Sequence, residues 1–361
     1  MIGTYIVYNF IIFGATISAY LYEKSDNKIN QIIFLSIAFF IPFFFLAIRY
    51  NIGTDYPNYV VYFEKIASGI DTIKEPGYEL VNQIIAYYNL DVQWVFIFFG
   101  FFYLFFAYKA LPKKGFAFGV FLFIAISYLY DGFSAIRQGV AVMIMAYAMK
   151  YIYSKEFKKY LFWSIMAMSF HLASGFLLLI TYFISNKNFN KYFLMLFMIF
   201  AYILVIYTGI IESMLNIVVS IFPKYAWYLQ SEYMQPSSIG SGLGILFKIF
   251  IALIVIFFKD KIGTKYPESN IVINLYVLYI LFLIFRMKIM IFGRMEHMFI
   301  VSYIFSVVYF LNTFKKMSKI FVSIIILSIY YLIFMKYIIT GTKDIDNSVH
   351  ISPYQTILER R

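Results

Sequence analysis

Long apolar runs separated by short polar connections recur from one end of the chain to the other. They cover about residues 4–22, 31–48, 92–111, 115–130, 134–153, 159–185, 192–211, 243–258, 270–285, 291–311 and 319–339. Most approach the roughly 20 residues that an α-helix needs to cross a hydrocarbon core. The pattern predicts an all-α, polytopic membrane protein of about eleven transmembrane segments. The whole chain, 1–361, reads as a single integral membrane domain, with a long loop at 49–91, a second loop at 212–242 and a tail at 340–361. The first run has no charged residue before it and no small-residue cleavage pattern after it, so it reads as a retained helix.

Periodicity changes inside the 49–91 connection. Tyr56, Tyr59, Val60, Phe63, Ile66 and Ala67 recur at helical spacing, away from Asn58, Glu64 and Lys65. A second short helix is expected after Pro76-Gly77, with Leu80, Ile84, Ile85 and Tyr88 as its apolar face and Glu79 in its first turn. These two amphipathic helices, within 55–90, are expected to roof a cavity at the outer surface.

Lysine clusters set the expected orientation. Lys24/Lys28, Lys109/Lys113/Lys114, Lys155/Lys158/Lys159, Lys187/Lys191, Lys259/Lys261/Lys265 and Lys315/Lys316/Lys319 lie in short connections, which the positive-inside rule assigns to the cytoplasm. The remaining connections then face outward. The run 159–185 has such clusters at both ends, so it must cross an even number of times, yet a single crossing already takes about 20 residues. A re-entrant hairpin is expected, bent at Ser169-Phe170-His171-Leu172-Ala173-Ser174-Gly175, because broken backbone at depth persists where it lines a cavity. The alternative is one straight crossing with Lys187 and Lys191 outside.

Composition narrows the chemistry. Hydrophobic residues make up 63% and charged residues 13% of the 361, against about 25% charged in soluble domains, which excludes a soluble enzyme. The 44 Phe and 35 Tyr are assigned to packing. No cysteine is present, which removes disulfides, thiolate nucleophiles and cysteine-held metals, and His171, His297 and His350 are too scattered for a metal cage. No metal and no cofactor are expected. The net charge of +12 resides in loops and encodes orientation, so nucleic acid is not an expected partner.

Ionisable residues in membrane helices cost about 2.5–3.5 kcal/mol near the centre, so each asks for a reason. Arg49 closes the second run, where a cation complements the helix C-terminus or serves a ligand. Arg137 follows Asp131-Gly132-Phe133-Ser134, with Ser134 as the expected N-cap. That places a cation at the positive end of a helix, a local conflict that a multiply charged anion such as pyrophosphate would resolve. Arg286, Lys288 and Arg294 surround Glu296 and His297, giving a basic pocket or partial neutralisation by Glu296. Asp55 and Glu75 lie on the roof as solvated or functional carboxylates, and Asp55 also suits a helix cap. His171 is either a core histidine bonded to a carbonyl or a neutral imidazole suited to general-base work. Arginines and one histidine around an outward cavity fit an anionic lipid substrate, with the cations stabilising a departing diphosphate in glycosyl transfer without a metal.

Arg49-Tyr50-Asn51-Ile52-Gly53-Thr54-Asp55-Tyr56, then Tyr59, then Glu75 with Gly77-Tyr78, resembles the EpsG-like branch of the Wzy-type polysaccharide (O-antigen) polymerases. The resemblance continues through Ala135-Ile136-Arg137-Gln138, Ser169-Phe170-His171, Arg294 and Pro353-Tyr354. It implies a glycosyltransferase that joins undecaprenyl-pyrophosphate-linked oligosaccharides at the outer face of the bacterial inner membrane. The implied pyrophosphate- and glycan-binding residues are Arg49, Arg137, Arg286, Arg294, Glu75 and Tyr354. His171 or Asp55 would accept the hydroxyl proton. The implied partners are the lipid-linked oligosaccharide, the bilayer, and a chain-length regulator and flippase of the same pathway. Two rivals stay open: an O-antigen ligase-like enzyme, and a transporter or flippase of lipid-linked sugars.

Overall fold

The architecture comes from a computed structural model that describes residues 2–70, 75–221, 234, 243–342 and 349–360. These residues are helical apart from connections and two isolated β-bridges. From the N-terminus, α1 (Ile2–Lys24) and α2 (Lys28–Ala47) pair, followed by the short α3 (Tyr56–Ala67) and α4 (Pro76–Tyr87). Then come α5 (Gln93–Ala110), α6 (Phe116–Phe123) continued by a π-helical stretch at Ile124–Gly132, α7 (Ile136–Tyr153), α8 (Phe157–Phe170) and α9 (Leu172–Ser185). The later helices are α10 (Lys191–Tyr207), α11 (Ile210–Ile221), α12 (Leu243–Phe257), α13 (Lys259–Gly263), α14 (Ser269–Arg286), α15 (Phe292–Met298), α16 (Ile300–Leu311) and α17 (Lys316–Thr340).

Five of these helices, α1, α2, α5, α14 and α17, are long and apolar enough to cross a bilayer. Counting α10 with α11 and α15 with α16 as one bent span each, at 83° and 47°, gives seven. The protein is a multi-pass membrane protein. Each of the eleven apolar runs falls on one or two helices, but breaks shorten several below a full crossing. Of the loop expected at 212–242, residues 212–221 belong to α11, and 222–242 lie outside the described residues apart from Met234.

Two compact units emerge from the contacts: Met1–Leu179 with Phe314–Arg361, and Ile180–Thr313. In the first, α1 shows how a bilayer inverts the usual logic. Its inward stripe is Thr4, Tyr8, Ile11, Ile12, Ala15, Ser18 and Ala19, largely small or hydrogen-bonding residues that let helices approach closely. Ile2, Ile6, Phe10 and Ile17 lie exposed on the opposite side. Helix α7 is different, because it is buried almost all round between α5 and α8. Helix α2 starts at Asn27, whose Oδ1 accepts from Ile29 N–H at 2.8 Å, and the Glu23 carboxylate at the end of α1 caps the start of α6 by accepting from Gly115 and Ala117 N–H, each at 2.8 Å.

The run 159–185 breaks where the small and polar residues predicted it. His171 takes extended backbone angles (φ −154°, ψ 101°) between α8 and α9. The Tyr160 hydroxyl donates to the Leu178 carbonyl at 2.7 Å, although 18 residues of straight helix would span about 27 Å. A Cβ on Gly175 would lie 2.5 Å from Met168 N, so only glycine permits this return. The chain therefore breaks at His171, and α9 folds back against α8.

Both amphipathic helices are present. The inward face of α4 is Tyr78, Asn82 and Ile85, while Leu80, Ile84 and Tyr88 are exposed. Three of the four residues expected on its apolar face are thus exposed, as suits a helix whose apolar side meets a membrane interface, and Ile85 alone turns inward.

In the second unit α14 is central and buried along most of its length. Its Asn274 Nδ2 donates to the Ser185 and Lys187 carbonyls, each at 2.7 Å, satisfying the open C-terminal end of α9.

Candidate functional site

The first unit gathers the motif residues around the start of α7. The segment 49–54 reaches it through Gly53, whose φ of +97° and close packing against the Phe133 carbonyl leave no room for a side chain. Ser134 Oγ accepts from Thr54 N–H at 3.1 Å. That contact corrects one expectation, because Ser134 is not the N-cap of α7. Ala135 holds that position without a side-chain bond, and α7 begins at Ile136. Arg137 still falls in the first turn.

The Arg137 guanidinium donates through Nη1 to Glu75 Oε2 and acts electrostatically on the Tyr59 hydroxyl. Its central carbon lies 5.8 Å from the Tyr59 ring and 5.2 Å from the Tyr78 ring, so an aromatic cage from α3 and α4 holds the cation. Arg137 Nε is buried without a hydrogen-bond partner among the described residues. Glu75, at the N-cap of α4, uses its other oxygen to accept Leu172 N–H at 3.2 Å, joining Arg137 to the residue after His171. Burial raises the Glu75 pKa, and Arg137 opposes that rise. Burial also pushes the Tyr59 hydroxyl up to about 12, so it stays neutral.

His171 stands at the break itself. Its Nδ1 accepts Ser174 N–H at 3.2 Å and lies 2.8 Å from Ser174 Oγ, while Ser174 is buried. Asp55 occupies the N-cap position of α3 as expected, but its side chain makes no capping bond. It is close enough to Tyr59 to act on that hydroxyl electrostatically.

Arg49 has a different setting. It is 1% exposed, donates through Nη1 to the Gly132 carbonyl, and lies between the Phe96 and Phe133 rings at 4.9 and 5.1 Å. Burial brings its pKa down to about 10, which leaves it charged at neutral pH. Its Nε and Nη2 are buried without a partner among the described residues. Nothing near Arg49 in the chain signals what lies beside it. The segment 350–357 runs along 48–53, with Tyr50 N–H donating to the Gln355 carbonyl (2.9 Å), Ile357 N–H to Ile48 (2.8 Å) and Gly53 N–H to His350 (2.9 Å). Tyr354 is anchored by its hydroxyl to the Phe45 carbonyl at 2.8 Å, and its backbone N–H donates to Thr4 Oγ1 at 3.0 Å.

The second unit has its own charged cluster. Glu296, 1% exposed, accepts from Lys248 Nζ at 3.2 Å and Arg286 Nη1 at 3.1 Å. Lys248 also donates to the Tyr279 hydroxyl at 2.8 Å, and Tyr279 stacks on Tyr303 at 5.1 Å. Glu296 therefore partly neutralises the cluster, as one of the two expectations had it, through Arg286 and through Lys248. Arg294 is exposed on α15, with His297 three residues on. Lys248 went unnoticed in the sequence because it lies within an apolar run, and only its isolation there could have signalled it. Among the described residues no three His, Asp or Glu side chains come together as metal ligands.

No curated protein and no solved structure matches the chain. The family model described as the EpsG family matches it over residues 32–356, from α2 through the segment that lies against Arg49. The protein is thus a member of the EpsG family, which places it among multi-pass membrane proteins of polysaccharide biosynthesis.

Proposed function

We propose that the protein is a polymerase that joins undecaprenyl-pyrophosphate-linked oligosaccharide repeat units into a surface polysaccharide, be it O-antigen, capsule or exopolysaccharide. The reaction is glycosyl transfer without a metal, at the outer face of the bacterial cytoplasmic membrane. A hydroxyl on the incoming unit attacks the anomeric carbon of the growing chain, the bond from that carbon to the pyrophosphate breaks, and the hydroxyl proton passes to Asp55 or His171. Arg137 takes up the charge that develops on the departing diphosphate.

The setting of Arg137 is what supports this reading. It stands in the first turn of α7, where helix N–H groups and a guanidinium fork converge, and its ion-pair partner is a single carboxylate, Glu75. A diphosphate offers a stronger match to that fork than one carboxylate does, because it presents several charged oxygens at once. Arg49 and Tyr354 maintain the frame on which Arg137 stands, while Arg286, Arg294 and Lys248 give the second unit a positive surface for phosphate.

The test is to incubate purified protein with its lipid-linked repeat unit in detergent, without divalent cation, and to separate products by gel. A ladder of polymer is expected. In cells, Arg137→Ala should abolish polymer while single lipid-linked units still reach the outer face. Units that accumulate on the cytoplasmic face instead would favour the transporter, and transfer to an acceptor other than a repeat unit would favour the ligase.

A further inference from the structure

The imidazole of His171 has two nitrogens, and the structure commits one of them. Ser174 N–H points at Nδ1 across 3.2 Å, three residues into the return helix α9. A backbone N–H only donates, so Nδ1 must offer its lone pair and carry no hydrogen. This is the side-chain bond of a helix cap, in which a residue ahead of the first turn accepts from an otherwise unpaired N–H. The Ser174 hydroxyl, 2.8 Å from the same nitrogen, then acts as a second donor. Neutral His171 is therefore the tautomer with its hydrogen on Nε2.

Glu75 fixes this arrangement to the candidate site. One of its oxygens accepts from Arg137 and the other from Leu172 N–H, the residue next to His171. The same carboxylate thus sets the guanidinium and the start of the return helix relative to each other. Neutral His171 then carries its hydrogen on Nε2, and a protonated nitrogen cannot take a proton from a sugar hydroxyl.

We propose that His171 is a hydrogen-bond donor through Nε2 to an oxygen of the sugar diphosphate, with Nδ1 reserved for capping α9, and that Asp55 is the group that accepts the acceptor's proton. This deepens the polymerase reading and rests on it. The hydroxyl proton moves to the Asp55 carboxylate, the new carbon–oxygen bond forms, and the electron pair of the broken bond leaves with the diphosphate. Arg137 and His171 Nε2–H receive the charge.

Two amides separate the two nitrogens. Asparagine places an oxygen near the Nδ1 position and is a good capping residue, while glutamine places an N–H near the Nε2 position. His171→Asn should keep wild-type thermal stability and lose about 100-fold or more in turnover, as removal of a single oxyanion donor does. His171→Gln should keep turnover within about 10-fold of the wild type, allowing for a weaker cap. A histidine acting as base would be lost equally in both, because neither amide accepts a proton, so equal inactivity of folded Asn and Gln variants overturns the proposal.

The tautomer can be read without any substrate. Only three histidines occur in the chain, so 15N-histidine labelling gives three imidazoles, and the one missing from His171→Gln is assigned. A resonance pattern with the proton on Nε2 is expected. A proton on Nδ1 overturns the proposal even if a ladder forms. A protein that forms no ladder but shows the Nε2–H form refutes the polymerase reading, and with it the donor role assigned here, while leaving the capping bond in place.

Discussion

Glu75 and Arg137 meet as a partly buried ion pair across 62 positions of sequence, and the pair is what gives the first turn of α7 a neutral resting state. Exchange of the carboxylate for a diphosphate would raise the number of charged oxygens facing the guanidinium at no cost in desolvating a new cation. The fork, more than the charge, is what such an exchange uses. Arg137→Lys should therefore lose turnover by on the order of 100-fold despite keeping the charge, measured as polymer yield per protein. Near wild-type yield would reduce Arg137 to a source of general positive potential.

Glu75 provides a pH test with a defined sign. Burial raises its pKa in the folded protein above the unfolded value. Such a carboxyl stabilises the fold fully below its unfolded pKa, and that contribution fades as pH rises through the folded one. At neutral pH the ionised form is kept at a cost in stability for the sake of Arg137. Glu75→Gln should therefore melt no lower than wild type at pH 7 and should lose the stabilisation that wild type gains on mild acidification, while polymer formation collapses. Melting curves in detergent at two pH values check the first two statements, and a gel checks the third.

Arg49 should behave unlike Arg137. Removing its side chain leaves the buried Gly132 carbonyl without its donor, which costs about 1–3 kcal/mol, and empties the space between Phe96 and Phe133. Arg49→Ala is expected to reduce folded yield and melting temperature, whereas Arg137→Ala should fold normally and fail in activity. Gel-filtration yield and melting temperature of the two variants, compared side by side, decide this.

The hairpin predicts sidedness. Because the chain has no cysteine, Lys158→Cys and Lys187→Cys each introduce a single reactive thiol at the two ends of α8 and α9. If the lysine clusters face the cytoplasm, both thiols should resist a membrane-impermeant maleimide in intact cells and react after lysis. Labelling of Lys187→Cys alone in intact cells would restore the straight crossing.

Packing makes the same hairpin fragile at one position. Gly175→Ala puts a Cβ against Met168 N and Cα, and relief requires the return helix to move, at a cost of about 1–3 kcal/mol. Gly3→Ala, with nothing within 4 Å, is the matched control and should not lower the melting temperature.

Much of this protein is legible from its sequence, and the reasons differ by residue. The helix break at His171 could be read because small and polar residues are costly in an apolar run and so are conspicuous there. Arg137 could be read because a cation in a first helical turn breaks a local electrostatic rule. The inward face of α4, Tyr78, Asn82 and Ile85, was not legible, because periodicity finds an apolar face without saying which environment it meets. The Ser134 contact with Thr54 was hidden for another reason, since a serine before a helix has two local uses and only the distant loop decides between them. Lys248 and the partners of Glu296 depend on which helices pack together, which no single segment encodes.

The strip of hydrogen bonds between 48–53 and 350–357 also sets an order in time. Tyr8 in the first helix donates to the Ile351 carbonyl, 343 positions later in the sequence. Contacts of such span close only after everything between them has been made and inserted, so they form late. During synthesis Arg49 waits without the backbone partners that frame it, and the turn that carries Arg137 stays unbraced. The frame around Arg49 and the start of α7 is thus completed only once residues 350–357 have been made and have reached the first helices.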